Sequence, residues 1–173
     1  NSLPLFHLPD VEGKEIMDLV GSSLHDYPLS STPPEKQILV QQKLQTFLAV
    51  PDPYKALKKE SNAKALELYP LIEKMVKDSS SPLSLAIELS CAGNIIDYGV
   101  SREEINVKEV ITSIISSSEK KIEKEDSTVF AYDDFVSSLE SSKTLLFLAD
   151  NAGEIVFDKL LLQTIKKLYP AIE

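Results

Sequence analysis

One run of residues limits the folds open to this chain more than any other. Thr144-Leu145-Leu146-Phe147-Leu148-Ala149 is short, unbroken and apolar, and it stops at Asp150-Asn151-Ala152-Gly153-Glu154. An apolar run of that length, closed by turn residues, predicts a strand covered on both faces and a following helix over Ile155 to Leu168. A single parallel strand cannot stand alone, because its backbone groups need neighbours reached by crossover connections. The sheet must then be completed by residues beyond Glu173, by a partner chain or by weaker strands elsewhere.

Upstream of that run the periodicity is helical. A first helix is expected from about Gly13 to Leu24, with Ile16, Leu19, Val20 and Leu24 on one face. Thr32-Pro33-Pro34-Glu35 is a capping box with proline at the first helical position, opening a helix that carries Ile38, Leu39, Leu44, Phe47 and Leu48 and stops near Val50. Asp52-Pro53 repeats the device at the head of a long helix through Leu57, Ala65, Leu68, Leu71, Ile72 and Met75. Pro70 should kink or split it. A polar connector, Lys77 to Ser81, leads into a strongly apolar helix through Leu85, Ile87, Leu89, Ala92, Ile95 and Ile96. Val107 to Ile122 reads as an amphipathic helix trailing into the charge run Glu119 to Asp126, and Phe130 to Leu139 as a shorter helix. The expected organisation is a helical subdomain over 1–142 and the first strand–helix unit of an α/β domain over 143–173.

Charge narrows the partners. Asp plus Glu number 27 against 18 Lys plus Arg, a net charge of -9 that repels phosphate backbones and anionic lipid. Neither nucleic acid nor a membrane is an expected partner, and no apolar stretch has the length of a membrane span. The one cysteine, Cys91, cannot close an internal disulfide, which suits a reduced, cytoplasmic setting. No Walker loop, GxSxG elbow, CxxC or HExxH occurs.

Two constellations offer chemistry. Asp150 and Asn151 sit where ligands gather in α/β sheets, beyond a strand's carboxyl end and before a helix N-terminus, with Gly153 letting the backbone approach a ligand. A carboxylate and an amide oxygen there suit Mg²⁺ or Mn²⁺, which prefer oxygen donors. The same spacing also serves a helix cap, with Asn151 as the capping residue and Glu154 completing a box. Asn94 and Asp97, in Gly93-Asn94-Ile95-Ile96-Asp97, lie three apart on one helix face, and Asp97 stands near a helix C-terminus where the dipole opposes its charge. They read either as a ligand-facing pair or as polar groups satisfied by hydrogen bonds. Glu154 and Asp158, four apart, share a face, although Asp158 equally suits a surface charge. Asp52 reads as a cap, Lys55, Lys58 and Lys59 as solvated positions, and His7 and His25 as surface residues.

Taken together, Gly93-Asn94-Ile95-Ile96-Asp97-Tyr98-Gly99, Asp150-Asn151-Ala152-Gly153-Glu154-Ile155-Val156-Phe157-Asp158, and Asp52-Pro53-Tyr54-Lys55 with Lys59 and Asn62 resemble the damage-control phosphatase family, domain of unknown function 89, in its microbial metal-dependent branch. The three motifs occur in the family's order, so the resemblance runs from about Glu12 onward. It implies a helical part leading into an αβα sandwich and hydrolysis of small phosphorylated metabolites, such as sugar phosphates, phosphopantetheine derivatives or damaged metabolites. The implied cofactor is a divalent metal, Mn²⁺, Mg²⁺, Co²⁺ or Ni²⁺, held by Asp150 and Asn151. Asn94, Asp97 and Glu154 would line the cleft, and Asp158, Lys55, Lys59 and Asn62 are further candidates. The paired-cysteine motif that opens many microbial members is absent. The family continues past the position of Glu173 with strands bearing a third metal-binding Asp and a phosphate-binding Lys, so the chain is expected to belong to a longer polypeptide. Two other readings compete: a non-catalytic helical interaction module, and transfer of methyl groups to protein carboxylates, which the lack of a glycine-rich dinucleotide-type loop ranks last.

Overall fold

The computed structural model describes residues 9–25, 28, 30–93 and 131–173. Among them the chain is mainly helical: α1 (Asp10–His25), α2 (Pro33–Leu48), α3 (Lys55–Asp78), α4 (Pro82–Gly93), α5 (Tyr132–Ser141) and α6 (Glu154–Leu168). No helix among the described residues is long and apolar enough to cross a membrane. The expected helix over Val107 to Ile122, the charge run after it and His7 lie outside the described residues. The chain forms two compact units, Asn1–Ala56 and Leu57–Glu173.

In the first unit α1 packs on α2, burying Ile16 and Leu44. α1 starts at Asp10, ahead of the expected Gly13, because the Gly13 N–H already bonds the Pro9 carbonyl at 3.0 Å. The α2 box forms as its sequence requires. Glu35 accepts the Thr32 N–H at 2.7 Å and the Thr32 hydroxyl at 2.9 Å. α2 ends two residues before Val50, where Ala49 turns left-handed (φ 53°) and the Val50 N–H reaches the Gln45 carbonyl at 3.2 Å. Ile38, one of the apolar residues that α2 carries, is 59% exposed. It stands six residues from buried Leu44, which places the two on different sides of a 3.6-residue helix.

Asp52 caps as read, with its Oδ1 accepting the Tyr54 N–H at 3.0 Å and its carbonyl the Lys55 N–H at 3.3 Å. Helix α3 then runs unbroken to Asp78, so Pro70 does not split it. The proline ring lies on the exposed side, while Ser61, Ala65, Ile72 and Val76 are buried on either side of it. Burial of both flanking segments outweighs the loss of one backbone hydrogen bond.

The second unit is centred on α4 against α6. Leu89 of α4, Phe157 of α6 and Ile72 of α3 are among the largest fully buried side chains, and Leu139 of α5 joins the same core. Burying each such aliphatic or aromatic side chain contributes about 1.5–3 kcal/mol. On its outer side α6 is tied to α3 by a hydrogen bond between the Tyr69 hydroxyl and Gln163 and by Lys159, whose Nζ stands 5.3 Å from the Tyr69 ring centre.

Residues 144–149 form no strand among the described residues. Their side chains alternate: Leu145 and Phe147 pack on the core, whereas Leu146 and Leu148 are each 83% exposed. The expected burial on both faces is therefore corrected to burial on one face among the described residues. Among the described residues the segment's backbone pairs with Glu173, which donates its N–H to the Lys143 carbonyl and accepts the Leu145 N–H, both at 2.9 Å. Bonds from one residue to the two neighbours of its opposite number follow the parallel pattern.

Candidate functional site

Helix α6 follows the 144–149 segment after a short loop, Asp150 to Gly153, and the geometry of that loop decides what its side chains can do. Asp150 is exposed, Asn151 and Glu154 are half-buried, and Gly153 is buried. Asn151 donates its amide nitrogen to Asp150 Oδ2 at 3.2 Å and to Glu154 Oε2 at 3.1 Å. A carboxylate only accepts, so the nitrogen must face the two acids, and the amide oxygen is held on the opposite side of the group.

The N-cap position of α6 is Gly153, which has no side chain to cap with. Glu154 takes the Asn151 amide nitrogen rather than a backbone N–H. The first turn closes through backbone bonds, from the Ile155 N–H to the Asn151 carbonyl at 3.2 Å and from the Val156 N–H to the Gly153 carbonyl at 3.1 Å.

Gly153 is needed for conformation and for packing on protein. It adopts φ 88°, ψ -56°, a region that costs a residue with a side chain about 1–3 kcal/mol. Its backbone lies against α3: a Cβ there would stand 3.5 Å from the Ser61 carbonyl oxygen. Beside it, Asn62 Oδ1 accepts the Gly153 N–H at 2.7 Å.

Gly93 closes the other side. A Cβ on it would lie 3.3 Å from Glu154 Cα and 3.3 Å from Phe157 Cβ, so its absence lets α4 reach the first turn of α6. The glycine that weakened the helical pattern in the sequence is thus a contact requirement of the seam. Asn94 and Asp97, which follow it, lie outside the described residues.

Four residues beyond Glu154, Asp158 is buried at 3% exposure, and the Ser90 hydroxyl donates to its Oδ1 at 2.6 Å. The surface-charge reading of Asp158 is therefore corrected. A carboxylate removed from water needs such a donor. Cys91, next to Ser90, is exposed, and its thiol is pushed up by partial burial first, then by the negative charges of Asp158, Glu154 and Glu88.

Of the residues singled out from sequence, the structure gathers Asp150, Asn151, Glu154 and Asn62 around one loop and sets Asp158 in the seam behind it. Lys59 is exposed on α3, and Lys55, also exposed, opens that helix at the edge of the first unit. Sequence reasoning missed Ser61 and Ser90. A hydroxyl inside Leu89-Ser90-Cys91-Ala92 is a signal of a buried polar partner, but it does not say which one. Chemically, Asp150 and Asn151 offer hard oxygen donors at a helix N-terminus, a donor set that fits Mg²⁺ or Mn²⁺. Among the described residues no group of three or more His, Cys, Asp or Glu is placed to hold a metal, so a complete ligand shell needs donors outside them.

Comparison with known proteins follows the same residues. The family model of the damage-control phosphatase ARMT1-like domain matches residues 4–173. The chain is 32% identical over 128 residues to a damage-control phosphatase of Archaeoglobus fulgidus, covering 74% of this chain and 42% of that protein. It is 31% identical over 143 residues to an uncharacterized protein of Methanocaldococcus jannaschii, covering 82% and 45%. It is 24% identical over 143 residues to a damage-control phosphatase of Pyrococcus horikoshii, covering 83% and 46%. The chain spans less than half the length of these curated relatives.

Proposed function

Because the chain belongs to the damage-control phosphatase ARMT1-like domain family, we propose that it forms the helical part and the first strand–helix unit of a metal-dependent phosphatase of small phosphorylated metabolites. One observation carries the reading: the Asn151 amide bonds both Asp150 and Glu154, which holds these polar groups together, with Asp150 exposed, at the N-terminus of α6. Mn²⁺, Mg²⁺, Co²⁺ or Ni²⁺ would be held there. A divalent cation supplies charge for the phosphoryl oxygens and orients the attacking group.

The chain's own residues divide the remaining work. Asp150 brings the negative charge, Asn151 a neutral oxygen, and Glu154 fixes the amide so that this oxygen keeps its direction. The N-terminal end of α6 favours an anionic phosphate beside the acid. The parallel hydrogen bonds of Glu173 around Thr144 support an α/β architecture in which α6 is the crossover, with the exposed face of Leu146 and Leu148 covered by a further layer.

The test is hydrolysis of an aryl phosphate by the whole protein with each of the four metals, with Asp150→Ala as control. Metal-dependent turnover that falls about 100-fold or more in the variant is expected, the range seen when a charge-stabilising group is removed. Metal-independent turnover, or an active variant, overturns the assignment. A second reading, a non-catalytic helical interaction module, is favoured by the lack of a three-acid cluster among the described residues. Calorimetric titration of the whole protein with Mn²⁺ separates them, because an interaction module has no reason to take the ion.

A further inference from the structure

We propose that Ser61 is a substrate-binding residue of the phosphatase reading given above, on which this rests: its hydroxyl donates a hydrogen bond to a phosphoryl oxygen seated at the N-terminus of α6.

A serine or threonine inside a helix can satisfy its hydroxyl on the carbonyl one turn back. Ser23, Thr46 and Thr164 do so, at 2.7, 2.9 and 2.8 Å. Ser61, inside α3, makes no such bond, and no other described residue takes its hydroxyl. The residue is only 6% exposed, and a hydroxyl removed from water without a partner is costly. Among the described residues no buried side-chain oxygen or nitrogen lacks a partner. The Ser61 oxygen therefore keeps an opening to solvent from a side chain that is otherwise enclosed. That places an uncommitted donor at the wall of a cleft.

The neighbours of Ser61 say which cleft. Its Cβ stands 3.4 Å, and its carbonyl oxygen 3.5 Å, from the place a Cβ on Gly153 would occupy. The serine is thus the part of α3 laid on the glycine at the N-cap of α6. Asn62 fastens the two elements there by accepting the Gly153 N–H at 2.7 Å. The hydroxyl lies one bond beyond Cβ, so it opens beside the first turn of α6, where the helix dipole favours an anion. Gly153 brings no side chain between them. The loop already carries the carboxylates of Asp150 and Glu154, so a phosphate monoester entering beside them gains from a donor that adds no negative charge. A hydroxyl is such a donor, and its bond to an anionic oxygen is stronger than one between neutral groups.

The experiment compares the whole wild-type protein with Ser61→Ala and Ser61→Cys. Three quantities are read: the thermal midpoint without metal or phosphate, the Kd of inorganic phosphate by calorimetric titration in the presence of Mg²⁺, and kcat/KM for an aryl phosphate. Ser61→Ala should leave the midpoint unchanged or raise it, because it removes a hydroxyl that has no partner among the described residues. It should weaken inorganic phosphate about 10-fold or more, the range for a hydrogen bond to a charged group, and lower kcat/KM with it. The thiol of Ser61→Cys is a weak donor, so phosphate affinity should rank Ser, Cys, Ala, and a reversed rank overturns the proposal. A lowered midpoint or a failure to fold in Ser61→Ala also overturns it, since the hydroxyl is then part of the structure. Unchanged phosphate affinity in a stable Ser61→Ala overturns it while leaving the phosphatase reading intact. A wild type that neither binds phosphate nor turns over the ester overturns that reading, and this inference with it.

Discussion

Ser90 donates its hydroxyl hydrogen to Asp158 at 2.6 Å across the buried seam between α4 and α6. Asp158 is only 3% exposed, so this donor replaces water that the carboxylate has lost. Removing it while leaving the acid in place costs about 1–3 kcal/mol, the desolvation of an unsatisfied group. Ser90→Ala should lower the urea midpoint accordingly, and adding Asp158→Asn should return part of the loss, because a neutral amide is cheaper to bury than a charge. Equal midpoints for wild type and Ser90→Ala would show that the seam does not depend on this bond.

The two glycines at the loop should fail in different ways. In Gly93→Ala the new methyl meets Glu154 Cα and Phe157 at 3.3 Å, so α4 and α6 must separate by a few tenths of an ångström, at about 1–3 kcal/mol for overpacking. In Gly153→Ala the space is ordinary, 3.4 Å to the Ser61 Cβ. There the cost comes from φ 88° and is about 1–3 kcal/mol. Asparagine tolerates positive φ better than β-branched residues do. Thermal unfolding should therefore rank Gly153→Asn above Gly153→Val in stability, while at Gly93 side-chain volume alone should set the order. A reversed order at residue 153 would reject the backbone explanation.

Local features of this fold were readable because they are decided by neighbours in sequence. The Thr32–Glu35 box and the proline start of α2 needed only four residues. The roles of Asn62 and Asp158 were not readable, because their partners lie 91 and 68 positions away and no spacing rule spans such a distance. Pro70 does not split α3 for a related reason: local propensity argues for a break, and burial of Ala65 and Ile72 on either side overrides it. The one-sided burial of the 144–149 segment was hidden by composition. Leu145, Leu146, Phe147 and Leu148 are all apolar, so the alternation that distinguishes the core face from the exposed one leaves no trace in residue type.

Acid should act on α2 through Glu35. Bonds from the Thr32 backbone N–H first, and then from its hydroxyl, hold the Glu35 carboxyl below the ordinary glutamate value. A depressed folded-state pKa means that the stabilisation is complete above the unfolded pKa and is lost as pH falls through the folded one. Helicity at the start of α2 should therefore decline on acidification in wild type. Glutamine fills the same place in a capping box without titrating, so Glu35→Gln should remove that part of the pH dependence. Amide shifts of Thr32 followed by NMR between neutral and acid pH are the measurement, and identical titration curves in the two proteins would reject the assignment.

Cys91 reports on the acids around the loop. Its thiol lies above the ordinary cysteine range because of partial burial and then the charges of Asp158, Glu154 and Glu88. Only the thiolate alkylates, so the reaction of Cys91 with iodoacetamide should be slow at neutral pH and should rise with a midpoint above that of a free thiol. Neutralising a nearby charge must move that midpoint down. Glu154→Gln should thus speed alkylation at a fixed pH near 8, and a cation bound beside the same carboxylates should do so by the same sign of interaction. The midpoint is measured by mass spectrometry of the alkylated peptide across a pH series. A value at or below that of a free thiol would show that the carboxylates of α6 do not face Cys91 in solution.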